Sequence, residues 1–198
     1  LTTKIEYSDG SYEAFAYDER ENKTYIRDRR GHELHRVYNE KSLLEEERLP
    51  NGLITWFAYD ENDRLIHQWD NAGQDQTFRY NAGGEPVEIS TAIDDSHRRI
   101  LRFEYDALGR MTALITPNGG RLLYTYEGNW SEPVSFRTAE GAVFRYAYDG
   151  AGRRMSILSD QGETQFAYNS LDYRTQITDA LGNITKYTFD MLCNLTKI

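Results

Sequence analysis

Only a few side chains in this sequence have the types and spacing that metal binding or catalysis requires. His32 and His35 form a His-x-x-His pair, and histidine is a common metal ligand. Residues 60–63 read Asp-Glu-Asn-Asp and offer oxygen atoms that calcium could use. Asp94 and Asp95 could serve as a pair of catalytic acids. The chemistry open to the chain is therefore a metal site or an acid–base pair.

Structural interpretations account better for all of these candidates. Residues three apart in an extended strand point to opposite faces, so His32 and His35 are expected to be separate turn and strand side chains. Residues 60–63 lack the remaining carboxylates and the glycine of a calcium loop, and we expect an ordinary turn there. Asp94 and Asp95 are neighbours that point apart in an exposed loop. The sequence also contains no nucleophile elbow, phosphate-binding glycine loop or zinc pattern, so it predicts no catalytic residues, metal or cofactor.

Two further features carry no predicted chemistry. Cys193 is the one cysteine, which excludes an internal disulfide and a cysteine-based zinc site, and we interpret it as an incidental thiol. Asn-x-Ser/Thr sequences arise easily among so many turn residues and would have no meaning in a bacterial chain. Four are present, at Asn22, Asn129, Asn183 and Asn194.

The tryptophans support a second hypothesis, a binding function. Trp and Tyr rings present large flat surfaces with a polar edge, on which sugars or peptide side chains can stack. Trp56, Trp69 and Trp130, with neighbouring tyrosines, could line a groove for a carbohydrate or a protein. A structural role and this binding role are both open at this point.

Composition limits the classes of protein to which the chain can belong. Its 198 residues match one large domain or two small ones and are enough to bury a substantial core. No apolar run approaches the roughly 18 residues of a membrane-spanning helix. A net charge of -9 argues against a nucleic-acid partner, and 15 tyrosines argue against disorder. The chain begins with Leu rather than Met and shows no signal peptide, so we expect a piece of a longer protein.

The tyrosines follow a period of about 21 residues. An aromatic residue recurs at intervals of 20 to 25 residues, and the residue after it is always acidic or Asn. Self-similarity at such a period indicates a repeat architecture. We therefore expect a single array over residues 1–198, with about eight repeats and no internal domain boundary. The series aromatic residues are Tyr17, Tyr38, Tyr59, Tyr80, Tyr105, Tyr126, Tyr148, Tyr168 and Phe189.

Glycine marks a second turn midway through each repeat. Six glycines each lie 14 residues after a series aromatic residue, and Gly141 lies one residue later in a repeat that is itself longer. Asp or Asn ahead of glycine starts a turn, and glycine takes the positive φ. Asp106 with Gly109 and Asp149 with Gly152 repeat this pattern directly after a series tyrosine. The six midway glycines are Gly31, Gly52, Gly73, Gly119, Gly162 and Gly182.

Turns about every ten residues leave room only for short segments, and these alternate like strands. Two strands joined by tight turns must be antiparallel, because a parallel pair needs a crossover of about a dozen residues or more. Residues 39–48 have a helix-like composition, but Pro50 and the repeat register favour a strand. We expect the extra residues of the 25-residue interval near residues 93–97, as a longer hairpin loop.

The predicted fold class is all-β, with tandem antiparallel hairpins in a long, twisted and curved ribbon of about 17 strands. Neighbouring strands rotate by roughly 20–25°, so an open sheet of this size must curl. Its apolar face must be covered by a barrel, a second layer or enclosed contents, and composition does not choose between a closed and an open form. Unpaired edge strands would also permit self-association of such a fragment.

Residues 105–126 carry the clearest repeat and a family resemblance. Tyr-Asp-Ala-Leu-Gly-Arg-Met-Thr at 105–112, Thr-Pro-Asn-Gly at 116–119 and the closing tyrosine resemble one unit of the Rhs/YD-repeat family. Residues 59–80 and 168–190 resemble degenerate copies of it. The sequence departs from the pattern at Ser42, Asp63 and Asp172, where glycine is expected, and at Glu127, where Asp is expected.

The resemblance implies a role in a much larger protein. The family includes bacterial Rhs polymorphic toxins, the C component of insecticidal Tc toxins and animal teneurins, and its repeats wind a β-ribbon into a hollow shell. In bacterial members the shell encloses a C-terminal toxin domain. The implied partners are the rest of the shell and an enclosed effector domain, in a secreted or cell-surface protein. The self-cleaving core ending of toxin-bearing members does not appear before Ile198, so neither cleavage nor toxicity is expected of this segment.

Overall fold

The computed structural model describes residues 1–190 and 192–198, and over these residues it contains only strands, turns and bends. The predicted all-β class is therefore confirmed. None of the described residues forms a helix long and apolar enough to cross a membrane. The strands, numbered β1 to β20, are Lys4–Glu6, Tyr12–Tyr17, Lys23–Arg27, Glu33–Tyr38, Leu44–Arg48, Ile54–Tyr59, Leu65–Asp70, Asp75–Tyr80, Pro86–Ala92, Arg98–Tyr105, Met111–Ile115, Arg121–Thr125, Ser135–Arg137, Val143–Tyr148, Arg154–Ser159, Gly162–Tyr168, Arg174–Thr178, Ile184–Lys186, Thr188–Phe189 and Leu195–Lys197.

The chain divides into two units, and each is an array of antiparallel hairpins. In the first unit, Leu1–Ile100, each strand from β1 to β8 is hydrogen-bonded to the next. In the second unit, Leu101–Ile198, the same holds for each strand from β10 to β17, and β19 and β20 form a further hairpin. The turn spacing predicted this arrangement. Residues 39–48 end in strand β5, so the strand interpretation is confirmed there as well.

A standard repeat consists of two five-residue turns and two strands. After Tyr17, residues 18–22 form the first turn and β3 follows; residues 28–32 form the second turn and β4 leads to Tyr38. The strand register shifts between Ala16 and Tyr17, and equivalent shifts precede the other series aromatic residues that end a paired strand. Such bulges bend a strand and increase its twist.

Alternation gives each unit one aromatic face and one mixed face. In the first unit, Phe15 pairs with Ile26 and Phe78 with Ile89 on the aromatic face. The mixed face of the second unit includes Ala113, Arg137 and Arg145, with polar and aliphatic neighbours. The aromatic face of the second unit consists of Phe103, Leu114, Leu122, Tyr124, Phe136, Phe144, Tyr146, Ile157, Thr164, Phe166 and Ile177, with the series residues that follow in the same strands.

The expectation of a substantial core is wrong. Among the described residues only Ala113 and Ser90 are buried, at 1% and 6% exposure. The accessible surface is 13379 Å², whereas a compact protein of 23.1 kDa exposes about 9,700 Å². The reason is topological: in the described residues, strands contact chiefly the strands beside them in the sheet. Side chains are therefore half-buried by lateral neighbours, and no layer covers them.

The expectation of a longer hairpin loop near residues 93–97 is also wrong. That loop has the ordinary five residues, closed by hydrogen bonds from Ile93 N and Asp94 N to His97 O. The four extra residues lengthen the strands instead, since β9 has seven residues and β10 eight, against five and six in β3 and β4. Two added residues per strand keep every side chain on its own face, because strand alternation has period two.

Two other repeats vary in their turns. Gly162 is not in a turn but begins β16, opposite Ser159, so residues 160–161 form a two-residue hairpin loop. A two-residue loop needs less chain than the five-residue turn, which fits the 20-residue length of this repeat. In the repeat after Tyr126, residues 127–134 form a long first turn, which explains why Gly141 comes one residue late.

Candidate functional site

Both turns of the repeat have the same construction. Asp106 Oδ1 accepts hydrogen bonds from the backbone N–H groups of Leu108 and Arg110, at 2.9 and 3.0 Å. Asp28 does the same in a midway turn. In each case the fourth residue has a positive φ, as at Gly109, where φ is 74°. The predicted capping of the turns by the marker Asp or Asn is confirmed in these turns, because the short side chain satisfies backbone donors that would otherwise face water.

The fourth position does not always hold glycine. Ser42, Asp63 and Asp172, where the sequence departs from the family pattern, all have φ between 62° and 65°. Glu21 and Cys193 take the same conformation at the same position, and sequence reasoning missed both. Their spacing, four residues after Tyr17 and Phe189, would have identified them.

Arginine links several first turns to the next repeat. Arg110 Nε lies 2.7 Å from Asp106 Oδ2, its guanidinium carbon lies 4.5 Å from the centre of the Tyr126 ring, and Nη1 donates to Gly128 O. Hydrogen bonds from Arg110 hold the pKa of the Asp106 carboxyl below its ordinary value. The cation thus binds a carboxylate, an aromatic ring and a carbonyl at once. The arginines with this arrangement are Arg64, Arg110 and Arg153.

The series tyrosines close the open ends of hairpins. The Tyr126 hydroxyl donates to Met111 O at 2.8 Å, and the Tyr59 hydroxyl to Leu44 O at 2.8 Å. Because the acceptor lies where the strand ladder ends, this bond fixes one repeat against the hairpin before it. The same bond is made by Tyr17, Tyr38, Tyr80, Tyr148 and Tyr168. Phe189 has no hydroxyl and packs against Tyr173, with 5.0 Å between ring centres.

A second aromatic position accompanies the series and was missed in the sequence. The residue two before the series aromatic is Phe or Tyr in most repeats, and it lies on the aromatic face. Its fixed spacing was the available signal. Those that lie in strands are Phe15, Phe57, Phe78, Phe103, Tyr124, Tyr146 and Phe166, and Tyr187 holds the same position between β18 and β19.

Comparison with known proteins identifies these repeats. The family model described as RHS Repeat matches residues 59–92 and 91–121. Residues 59–121 are thus Rhs repeats, and the rest of the chain has the same turns and strands. Toxin protein Tse5 of Pseudomonas aeruginosa strain PAO1 is 28% identical over 136 aligned positions, and the match covers 66% of this chain and 10% of Tse5.

Solved structures share the fold of the Rhs segment. The crystal structure of TcdB2-TccC3-Cdc42 has a TM-score of 0.63 at 15% identity, covering 98% of this chain and 15% of that one. The Photorhabdus luminescens Tc holotoxin pore has a TM-score of 0.61 at 15% identity, covering 96% and 15%. At this identity the likeness concerns the fold alone. The Rhs segment spans only a small part of each of these proteins.

The Rhs fold separates the two histidines. His32 lies in a turn, with Nδ1 2.8 Å from Asp28 Oδ2. His35 lies on β4, with its ring 5.0 Å from that of Tyr25. Within residues 1–190 and 192–198, no group of three or more side chains has the arrangement of a metal site.

The acidic candidates are used in turns. The Asp60 carboxylate accepts from Asn62 N and Arg64 N, and Arg64 Nε lies 2.7 Å from its other oxygen. Asp63 pairs with Lys41 at 2.7 Å. Residues 60–63 therefore form an Asp-led turn, as expected.

The loop at residues 93–97 and Cys193 carry only local contacts. Asp94 accepts from Ser96 and His97, whereas Asp95 is exposed. A hydrogen bond to Cys193 raises the pKa of Tyr173. The thiol thus belongs to a turn beside a tyrosine.

The tryptophans fall into two settings. Trp56 and Trp69 stack across β6 and β7 at 6.1 Å, and His67 stacks on Trp69 at 4.4 Å, so the Trp69 ring packs against two neighbouring rings. Trp130 is 48% exposed and lines a cleft of about 590 Å³ in the second unit, with Glu127 and Glu132 among its other lining residues. The structure therefore does not bring the three tryptophans into one groove.

Proposed function

We propose that this chain is a noncatalytic wall segment of a larger Rhs protein. The wall is a single repeat array over residues 1–198 that encloses or presents a C-terminal toxin or effector domain. The observation that carries the proposal is the use of the marker side chains. The Asp carboxylates, arginines and tyrosine hydroxyls of the repeats are bonded to turns and neighbouring hairpins, as in the Asp106, Arg110 and Tyr126 cluster. In this proposal the repeat markers hold the wall and do no chemistry.

The comparisons support the wider setting of the proposal. Tse5 is a toxin protein, and the Tc structures include a holotoxin pore. We infer that the partners are the rest of the parent chain and an effector domain, and that the parent is a secreted or cell-surface bacterial protein. A net charge of -9 supports the absence of a nucleic-acid partner. Edge-to-edge self-association of the fragment stays a prediction.

Protease protection in the parent protein tests the wall. Replacing Tyr59, Tyr126 and Tyr148 by Phe together removes three hairpin-closing bonds without removing a ring. Limited proteolysis should then release fragments of the effector domain that the unaltered parent protects. The matched control is the replacement by Phe of three tyrosines outside the series, Tyr12, Tyr124 and Tyr187. Equal protection in all three proteins would contradict an enclosing role.

A binding module is the second candidate, and the cleft at Trp130 is what favours it. An exposed aromatic wall beside the Glu127 and Glu132 carboxylates is a setting in which a carbohydrate or a protein loop could bind. Screening the chain on a glycan array and against the parent's other domains, with Trp130→Ala compared with Trp56→Ala, tests it. Binding lost only with Trp130→Ala would support this function.

A further inference from the structure

Charge is segregated on the aromatic face of the second unit. The strand positions of this face carry no Asp or Glu, although the chain as a whole has a net charge of -9. Two cations do lie there: Arg154 is opposite Tyr148 and Arg174 is opposite Tyr168 in the strand register. In the described strands that lie wholly within this unit, β11 to β20, these two arginines are the charged side chains of the aromatic face.

Both arginines rest on aromatic rings. The Arg154 guanidinium carbon lies 4.4 Å from the centre of the Tyr146 ring and 5.9 Å from that of Tyr148. The Arg174 guanidinium carbon lies 4.7 Å from the centre of the Phe166 ring. Ring contact fixes each guanidinium while leaving its edge for hydrogen bonds.

Neither arginine has an anionic partner in the part of the chain that the structure describes. Arg110 and Arg153, in the same unit, are both paired with aspartates at 2.6–2.7 Å, so the repeat pairs its arginines where they hold turns. Arg154 and Arg174 make no such pair, and Arg154 Nε is buried without a hydrogen-bond acceptor. The buried Arg154 Nε without an acceptor is energetically unfavourable, and a carboxylate supplied from outside would remove that cost. Arg174 is exposed, and there a carboxylate would add an ion pair to a guanidinium already held on a ring.

The structure therefore points to a partner, and we propose that this face binds an acidic, apolar polypeptide segment. Its apolar side chains would cover the Leu, Ile, Phe and Tyr rows, and its carboxylates would bind Arg154 and Arg174. The arginines lie on β15 and β17, two strand spacings or about 10 Å apart, which is more than a small anion can bridge. The aromatic rows beside the arginines also have a larger area than a small anion could cover. The inference rests on the proposed function, because it names the chemistry of the polypeptide that the wall faces.

Peptide binding to the 198-residue chain tests the proposal. The probes are fluorescein-labelled twelve-residue peptides of alternating Leu and Glu, or of alternating Leu and Lys, measured by fluorescence anisotropy. We expect the Glu peptide to bind at least about tenfold more tightly than the Lys peptide. Replacing both arginines, R154Q with R174Q, should weaken binding of the Glu peptide by about tenfold, and the lysine pair R154K with R174K should recover part of it.

The mixed face supplies a matched control. Arg137 and Lys186 belong to the same unit, are exposed and have no ion pair among the described residues, so R137Q with K186Q removes the same charge from the opposite face. This control should change the affinity less than about twofold. An equal loss in both pairs, or equal binding of both peptides, would overturn the proposal. Circular dichroism checks folding, and R174Q alone serves if R154Q unfolds the chain.

Two further outcomes are informative. If the chain forms a concentration-dependent dimer that R154Q with R174Q abolishes, a second copy covers the face and the proposal is wrong. If peptide binding fails while the parent still protects its effector from protease, the wall function stands and only the acidic partner is rejected. The two experiments thus fail separately.

Discussion

At the scale of the residue, one aspartate both forms a turn and joins two repeats. Asp106 accepts two backbone N–H groups through Oδ1 and binds Arg110 through Oδ2. The two roles are separable, because Asn39, Asn81 and Asn169 cap their turns without a carboxylate. Asparagine is therefore a substitution that keeps the turn and removes the ion pair.

Acid should destabilise the chain by protonating the aspartates that pair with arginine in the first turns. The pKa values of Asp60 and Asp106 are lowered, first by hydrogen bonds from Arg64 and Arg110, and that of Asp149 by hydrogen bonds to the Arg153 backbone and side chain. A lowered folded-state pKa gives stability that is present above the ordinary value of 3.8 and is lost as pH falls through the folded value. Urea unfolding followed by circular dichroism should show stability falling below about pH 4.

Substitution by asparagine identifies the source of this pH dependence. Asp60, Asp106 and Asp149 replaced together should give a flatter curve of stability against pH, with lower stability at neutral pH. Asp95→Asn, at an exposed loop position, is the control and should leave the curve unchanged. An equally steep acid transition in the triple variant would contradict the role of these pairs.

The hydroxyl of a series tyrosine should contribute measurably to the free energy of unfolding. Tyr126→Phe removes the 2.8 Å bond to Met111 O and leaves that partly buried carbonyl without this donor. We expect a loss of about 0.5–1.5 kcal/mol in the free energy of unfolding, measured with urea. Tyr187→Phe, outside the series, should change it by less. Equal effects of the two substitutions would mean that the bond from the Tyr126 hydroxyl to Met111 O adds nothing beyond the general effect of losing a tyrosine hydroxyl.

At the scale of the element, the turn is the unit that is reused. Five residues, a capping side chain first and a positive φ fourth, serve both ends of most hairpins, as at residues 18–22 and 28–32. Variation in repeat length is divided between turns and strands: β9 and β10 are each two residues longer than β3 and β4, and the loop before β16 has two residues in place of five. Both solutions keep the alternation of faces, which single insertions in a strand would reverse.

Replacing Glu21 by glycine should stabilise the folded chain. Its φ of 65° is unfavourable for a residue with a Cβ, by about 1–2 kcal/mol, and glycine recovers this less its larger loss of backbone entropy. Glu21→Gly should therefore raise the free energy of unfolding by about 0.5–1 kcal/mol.

Glu19, in the same turn, has no positive φ and supplies the comparison. Glu19→Gly removes an equal charge but gains no relief of strain, so it should lower stability or leave it unchanged. A stabilisation of similar size in both variants would show that charge, and not backbone conformation, is responsible.

At the scale of the whole molecule, the large accessible surface is the feature that decides how the chain is stabilised. The chain exposes 13379 Å², and aromatic faces remain half-covered. Stability therefore comes from many lateral contacts between adjacent strands, as in other repeat proteins, and not from one core.

This exposure predicts dye binding by the native chain. Anilinonaphthalene sulfonate should fluoresce with the folded chain in the absence of denaturant, because apolar rows are accessible. The near-ultraviolet circular dichroism of the tyrosines should persist, which distinguishes this case from a molten globule. Absence of dye fluorescence at neutral pH would show that the aromatic faces are covered in solution.

Prediction from the sequence succeeded for features that depend on residues close together in the chain. Asp-to-Gly spacing revealed the turns, and alternation revealed the hairpins, because a turn and its two strands lie within about 20 residues of chain. It failed at Gly162 and at residues 93–97, because spacing gives the length of a repeat and not how that length is divided between its turns and its strands. It also missed the Arg110 contact with Tyr126, which only the packing of successive repeats creates.

The sequence by itself determined the period, the all-β class and the resemblance to the Rhs repeats, since each depends on short-range spacing of Tyr, Asp and Gly. Only the tertiary structure decided that no substantial core forms, although length and aromatic content favoured one. It also decided that Arg154 and Arg174 share an aromatic face without acidic neighbours. Those properties depend on which strands lie side by side and on what covers them, and a period in one dimension does not specify either.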